Sequence, residues 1–274
     1  MSHKFSEYLL AKYDDDFDTA TRHPFLLSAG QGTLDKDVLE RWLRQDYLYA
    51  FVGYVKFASL LLSRLPVPSA IPSPSTAHHL TPSGALSRAH PLLLFSLTNI
   101  SRETSFFVST ATAHGLALHT RAAGDRGTMG ETIMPDVRGE DDRTGLLGEY
   151  EPVTRSYVDF LVATAAGRGV EEGLVALWAM EKAYLTAWTF ARSHNSKPTP
   201  EDATSGTHTE TQKALDKFID NWTNDEFVGF VNECEEVVDG LGIEVGSELG
   251  ERCEQVFRQV LWLEQRFWPA VELA

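Results

Sequence analysis

Three acidic residues occupy positions that helical periodicity reserves for apolar ones. From Asp35 to Arg64 the stripe Leu39, Trp42, Asp46, Tyr49, Gly53, Phe57 advances by three or four residues, and Asp46 interrupts it. The run LVALWAMEKAYLTAW carries the stripe Leu174, Leu177, Trp178, Glu181, Leu185, Trp188, interrupted by Glu181. Further on, Glu264 breaks the stripe Phe257, Val260, Leu261, Phe267, Trp268, Val271 in the same way. Glu103, between Ile100 and Phe107, is a weaker fourth case. Burying an ionised carboxylate costs several kcal/mol unless it is paired or hydrogen-bonded. One such residue is ordinarily an edge residue or an arginine partner. Three on three long helices point instead to a polar pocket inside a helical bundle. Trp42, Tyr49, Tyr157, Tyr184 and Trp268 would wall it with rings. Such a pocket suits a flat heterocycle that stacks on aromatic side chains and offers donors to carboxylates.

The elements that must hold these residues are helices. Asp35 reads as the N-cap of a helix running to about Arg64, before Pro66. Further helices are expected at about Leu92–Ala117, Val153–Ala166, Val170–Arg192, Glu210–Asp220, Asp225–Leu241 and Ser247–Val271. The polar segments at about 66–91, 122–150 and 193–209 read as surface loops inserted into one bundle. No Val, Ile or Thr run alternates with polar residues for long enough to make a sheet, so the expected fold class is all-α, with one domain over 1–274. A net charge of −15, with 39 acidic residues against 24 basic ones, argues against nucleic acid or an anionic membrane as partner. No apolar core follows Met1 and no apolar run approaches roughly 18 residues, which gives the expectation of a cytoplasmic protein. Cys234 and Cys253 make neither a disulfide framework nor a paired zinc site, and read as free thiols.

The run HPFLLSAGQGTLDKDVLERWLRQDYLYAFVGYVKFAS, from His23 to Ser59, resembles the opening of the TenA/thiaminase II family, with its HPF element, glycine-containing turn and long helix bearing QDY. Thr154 and Tyr157, then LWAMEKAYLTAW, NWTNDEF and WLEQRFW, match the remaining family landmarks in order, over most of the chain outside the three loops. The resemblance implies a heme-oxygenase-like all-α fold and assembly as a homo-oligomer. It also implies cofactor-free hydrolysis of a C–N bond at the methylene group of a thiamin-related aminopyrimidine, in thiamin salvage. Carried onto this sequence, Asp46 would hydrogen-bond the aminopyrimidine edge, Tyr157 would lie beside the ring, and Glu264 would serve the leaving amine as acid and base. Tyr49, Tyr184 and Trp222 complete the expected substrate site, Trp222 standing where the family has a tyrosine and leaving that wall less polar.

The better-known branch of the family has a nucleophilic cysteine in the helix occupied here by WAMEKAY. Cys234 and Cys253 lie elsewhere, and Glu181 makes the sequence more similar to the Glu-containing branch. Without a thiolate, covalent displacement of thiazolium from thiamin is disfavoured, and a carboxyl pair suits direct attack by water. One Glu would activate the water and the other protonate the departing amine, which requires their proton affinities to be split. Glu181 as base and Glu264 as acid is the first expectation, with the reverse open. Aminomethyl pyrimidine and its N-formyl derivative are the expected substrates, and hydroxymethyl pyrimidine the product.

Two other readings compete: a metal-dependent oxidase of the same fold, and a pyrimidine-binding protein without activity. No Glu is followed by His three residues later, and most histidines fall in expected loops (His78, His79, His90, His194, His208). His23, beside Pro24, reads as a helix cap rather than a haem ligand, so no metal ligand is assigned. A binder would have less need of both Glu181 and Glu264.

Overall fold

The structure, a computed structural model, describes residues 4–66, 82–118, 150–195 and 209–271. Every regular element in them is helical: α1 (Phe5–Lys12), α2 (Asp14–Thr21), α3 (Pro24–Gln31), α4 (Lys36–Leu48), a π-helical turn (Tyr49–Tyr54), α5 (Val55–Ser63), α6 (Pro82–His114), α7 (Pro152–Gly167), α8 (Val170–Ser193), α9 (Glu210–Asn221), α10 (Asp225–Gly240) and α11 (Glu248–Phe267). The all-α expectation holds. Of the assigned loops at 66–91, 122–150 and 193–209, residues 67–81, 122–149 and 196–208 lie outside the described residues.

The sequence of α8 explains the architecture. Residues Leu174 to Met180 are buried on every side of the helix. A helix apolar all round must be enclosed, and α2, α3, α7, α9, α10 and α11 pack against it. At its start the Glu172 carboxylate accepts a hydrogen bond from Gly169 N at 2.8 Å. Glu172 is itself buried, and Arg168 and Arg252 pair with it at 3.3 and 3.5 Å. That is the ordinary way to bury a carboxylate. The approach of α3 depends on Gly30, where an added Cβ would fall 2.1 Å from the Ala191 carbonyl oxygen.

Several expectations need correction. The helix assigned from Leu92 begins at Pro82, so the last ten residues of the expected 66–91 loop, His90 among them, are helical. Pro91 removes a helical hydrogen bond, which is why it reads as a boundary, yet α6 runs through it. Helices α1 to α3 were not anticipated, being too short for periodicity to stand out. His23 is the N-cap of α3, its Nδ1 accepting from Phe25 N at 3.1 Å, and Gly32, at φ 68°, closes the helix. Asp35 occupies the N-cap position of α4 but makes no capping hydrogen bond through its side chain. The last helix stops at Phe267, two residues before Pro269, and Trp268 lies beyond it with its indole Nε1 donating to the Ala20 carbonyl at 3.0 Å.

Candidate functional site

One cavity, of about 50 Å³, is lined by all seven residues that the sequence assigns to a site: Asp46, Tyr49, Tyr157, Glu181, Tyr184, Trp222 and Glu264. Asp46 comes from α4, Tyr49 from the π-helical turn, Tyr157 from α7, Glu181 and Tyr184 from α8 and Glu264 from α11, with Trp222 just past α9. Glu103 of α6 joins them, as do Tyr54, Met180 and Phe267. Trp42 and Trp268, expected in the wall, stand behind it. Trp42 is fully buried against Trp188 (5.3 Å between ring centroids), Trp222 (5.9 Å) and Phe218 (5.6 Å). Helical periodicity identifies the inward face of a helix but not whether a cavity or another ring lies opposite.

Each of the three buried carboxyls has its own tyrosine. Tyr54 Oη donates to Glu181 Oε1 at 2.5 Å, Tyr157 Oη to Glu264 Oε1 at 2.6 Å, and Tyr184 Oη to Asp46 Oδ2 at 2.7 Å. Tyr49 Oη reaches Met180 Sδ at 3.0 Å, and its ring lies 5.0 Å from that of Tyr157. Glu103 accepts from the Trp222 indole Nε1 at 3.1 Å and from Asn99 Nδ2 at 3.4 Å. Trp222 therefore supplies one donor to the wall, and Glu103 takes it up. No lysine or arginine among the described residues forms an ion pair with Asp46, Glu181 or Glu264.

The charge state follows from that arrangement. Burial pushes Glu181 up to about 8, against the Tyr54 hydrogen bond, with the neighbouring carboxyls Glu103, Glu264 and Asp46 adding to the rise. Burial pushes Glu264 up to about 7 against the Tyr157 bond. Glu103 rises to about 7 by burial, opposed first by Trp222 and then by Asn99. Asp46 is held well above the usual carboxylate range by burial, opposed by Tyr184 and reinforced by Glu103 and Glu264. Burial, aided by the adjacent carboxyls, also drives Tyr54, Tyr157 and Tyr184 well above the ordinary phenol value, so each remains a donor. The pocket can thus hold several protons near neutrality and pass them to or from a ligand.

Tyr54 escaped the sequence reading, and the reason is geometric. A regular α-helix would place residue 53 on the same face as Asp46, and residue 54 roughly 80° away. The π-helical turn at Tyr49–Tyr54 rotates the chain so that Tyr54 faces the pocket instead. Gly53 then meets α7, where an added Cβ would fall 2.6 Å from Val158 Cγ2. Glu103 and Asn99 also border a second cavity of about 180 Å³, beside which Arg102 pairs with Glu226 at 2.9 Å. Cys234 and Cys253 are both buried. Burial raises the Cys234 thiol well above its usual range, with Glu181 contributing, and pushes Cys253 up to about 12. Among the described residues no group of three or more His, Cys, Asp or Glu is arranged to hold a metal ion, and no helix is long and apolar enough to cross a membrane.

A helical bundle wrapped round one buried helix, with a tyrosine-partnered acid pocket, is an all-α protein of the heme-oxygenase-like class. The TenA homologue of Pyrococcus furiosus has this fold, superposing with a TM-score of 0.69 at 23% identity over 96% of this chain and 98% of its own. The TenA homologue protein of P. horikoshii OT3 does so with 0.65 at 16% identity, covering 97% of each chain. The chain belongs to the TENA/THI-4/PQQC family, whose model matches residues 11–76 and 142–273. A Glycine max relative named "Probable bifunctional TENA-E protein" is 22% identical over 265 residues, 96% of this chain and 91% of the relative. A Fusarium pseudograminearum relative named "Probable transcription factor" is 25% identical over 297 residues, and this chain spans 96% of its own length but 51% of that protein.

Proposed function

We propose that the protein hydrolyses the exocyclic C–N bond of a thiamin-related aminopyrimidine without a covalent cysteine intermediate. The observation that carries this reading is the pair of buried glutamates, each held by a tyrosine and without a cation partner among the described residues, at the wall of one cavity. Membership in the TENA/THI-4/PQQC family supports the substrate class. The burial of both thiols, on helices other than the one that carries Glu181, supports the cysteine-free route. Asp46, whose hold on a proton burial strengthens, offers one donor and one acceptor when protonated. An aminopyrimidine edge presents the complement, a ring nitrogen and an adjacent amino group. Tyr157 and Tyr49 lie beside the ring.

In the bond-breaking step water attacks the methylene carbon, the C–O bond forms and the C–N bond breaks. Glu264 takes the proton from water, and Glu181 gives one to the departing nitrogen, leaving a hydroxymethyl pyrimidine with ammonia from the aminomethyl substrate or formamide from its N-formyl derivative. This division reverses the first expectation from sequence. Glu181 is crowded by three other carboxyls as well as by burial, so it is the better proton holder, while Glu264 is raised by burial alone. The transcription-factor name of the Fusarium relative describes a protein twice as long as the match; a net charge of −15 disfavours phosphate contact by this chain.

The test is turnover of aminomethyl pyrimidine, its N-formyl derivative and thiamin, with hydroxymethyl pyrimidine followed by chromatography. The first two are expected to react, and Glu264→Gln and Glu181→Gln each to lower kcat by about 10²–10⁴. Activity rises with pH through about 7 as Glu264 ionises and falls above about 8 as Glu181 does. Full activity in either variant sinks the reading.

A further inference from the structure

We propose that Tyr54 is a positioning residue, delivered to the pocket by the π-helical turn, that orients Glu181 so that its Oε2 is the oxygen presented for proton transfer. The inference rests on the role given above to Glu181 but concerns a residue and a backbone device that the function itself does not require.

The geometry carries it. Tyr54 is 5% exposed, and its hydroxyl lies 2.5 Å from Glu181 Oε1. A phenol in that setting is a donor, so Oε1 must accept, and an acidic proton on Glu181 resides on Oε2. The carboxyl is thereby fixed in rotation as well as in protonation site. Such preorganisation separates a carboxyl that merely exists in a pocket from one that delivers a proton along a set line.

The backbone shows that the contact is built rather than incidental. π-Helical turns arise from one extra residue in a helix and cost stability, and they concentrate at functional sites for that reason. Here the six-residue turn spans Tyr49 to Tyr54, flanked by regular helix on both sides. It turns Gly53 onto α7, where a side chain would collide with Val158, and it turns Tyr54 onto Glu181. Glycine at 53 and tyrosine at 54 are thus complementary consequences of one rotation.

The groups facing Glu181 define what the contact does to its proton. Tyr54 of the π-helical turn, Glu103 of α6, Glu264 of α11 and Asp46 of α4 act on it, and Cys234 of α10 and Tyr49 of the turn lie within its field. Of these only Tyr54 donates a hydrogen bond that favours the carboxylate; the acids favour the neutral form. Removing the phenol oxygen therefore raises Glu181's affinity for its proton and releases its rotation.

The experiment compares Tyr54→Phe with Tyr157→Phe in two readouts. Infrared titration of the ligand-free protein follows the protonated carboxyl band, assigned by its loss in Glu181→Gln and Glu264→Gln. Tyr54→Phe is expected to move the Glu181 titration up by about one pH unit and leave that of Glu264 in place, and Tyr157→Phe to do the converse. In turnover, Tyr54→Phe lowers kcat about tenfold with little change in KM, and its alkaline limb moves up. An unmoved Glu181 titration, or equal movement of both carboxyls, overturns the proposal, since the latter signals general loosening. The infrared arm needs no substrate. Absence of aminopyrimidine turnover would therefore count against the proposed function, while the two carboxyl titrations would still decide whether Tyr54 positions Glu181.

Discussion

The molecule contains two sets of tyrosine–glutamate contacts with opposite electrostatics. In the pocket, Tyr54 and Tyr157 hold Glu181 and Glu264 with no cation among the described residues, and the carboxyls rise to about 8 and about 7. Between α1 and α11, Tyr8 and Tyr13 hold Glu254 in company with Lys12, whose Nζ lies 2.6 Å from Glu254 Oε1. There burial also pushes upward, but hydrogen bonds from Lys12, Tyr13 and Tyr8 outweigh it and Glu254 ends below its usual range. The residue types are alike, but Glu254 is less buried and accepts from three donors, one of them an ammonium group, and that reverses the outcome. The outer cluster is an ion pair tying α1 to α11, whereas in the inner one burial favours the neutral carboxyls.

The largest way to sharpen this contrast is the pH dependence of stability. Glu181, Glu264 and Glu103 all bind protons more tightly folded than unfolded, where the value is 4.5. Above 4.5 the unfolded chain loses these protons while the folded one keeps them, so stability falls as pH rises through about 7 and about 8, and Asp46, raised in the same direction, adds to the fall. A decline of several kcal/mol is expected in denaturant titrations across that window, and Glu181→Gln with Glu264→Gln should flatten it. A flat curve in the unaltered protein would mean that the pocket carboxyls are ionised, as Glu254 is.

A smaller effect belongs to the outer cluster. Glu254→Gln weakens the contacts to Lys12 and Tyr13 and should lower Tm by about 2–4 °C while leaving the slope of stability against pH between 5 and 8 unchanged. If that slope changes instead, the two clusters are coupled and the contrast fails. Smallest of all is the effect of iodoacetamide on the native protein. With both thiols buried and raised, hydrolysis should persist within twofold of the untreated rate, and rapid inactivation would reinstate a cysteine route.

Most of the helices and the convergence of the site were legible because both depend on periodicity. Asp46, Glu181 and Glu264 stand out against apolar stripes, and the stripes also tell which faces meet. Depth is not periodic, so Trp42 and Trp268 were placed one layer too far inward. Tyr54 was hidden for a sharper reason: the stripe is counted at 3.6 residues per turn, and the π-helical turn breaks that count between Tyr49 and Tyr54. Gly53, which continues the stripe on paper, is the residue that the rotation carries away. Pro91 misled in the opposite direction, a helix breaker by chemistry that α6 accommodates.

The aromatic layer behind the pocket makes the protein its own optical reporter. Trp222 lies 5.0 Å from Trp188 with their planes 27° apart, and 5.2 Å from Tyr184, the donor to Asp46. Indole rings at such separations couple their electronic transitions, and the coupling depends on their mutual angle. A ligand that displaces Tyr184 or draws on the Glu103 bond to Trp222 alters that angle. Occupancy of the pocket is therefore expected to change the near-ultraviolet circular dichroism of the unlabelled chain.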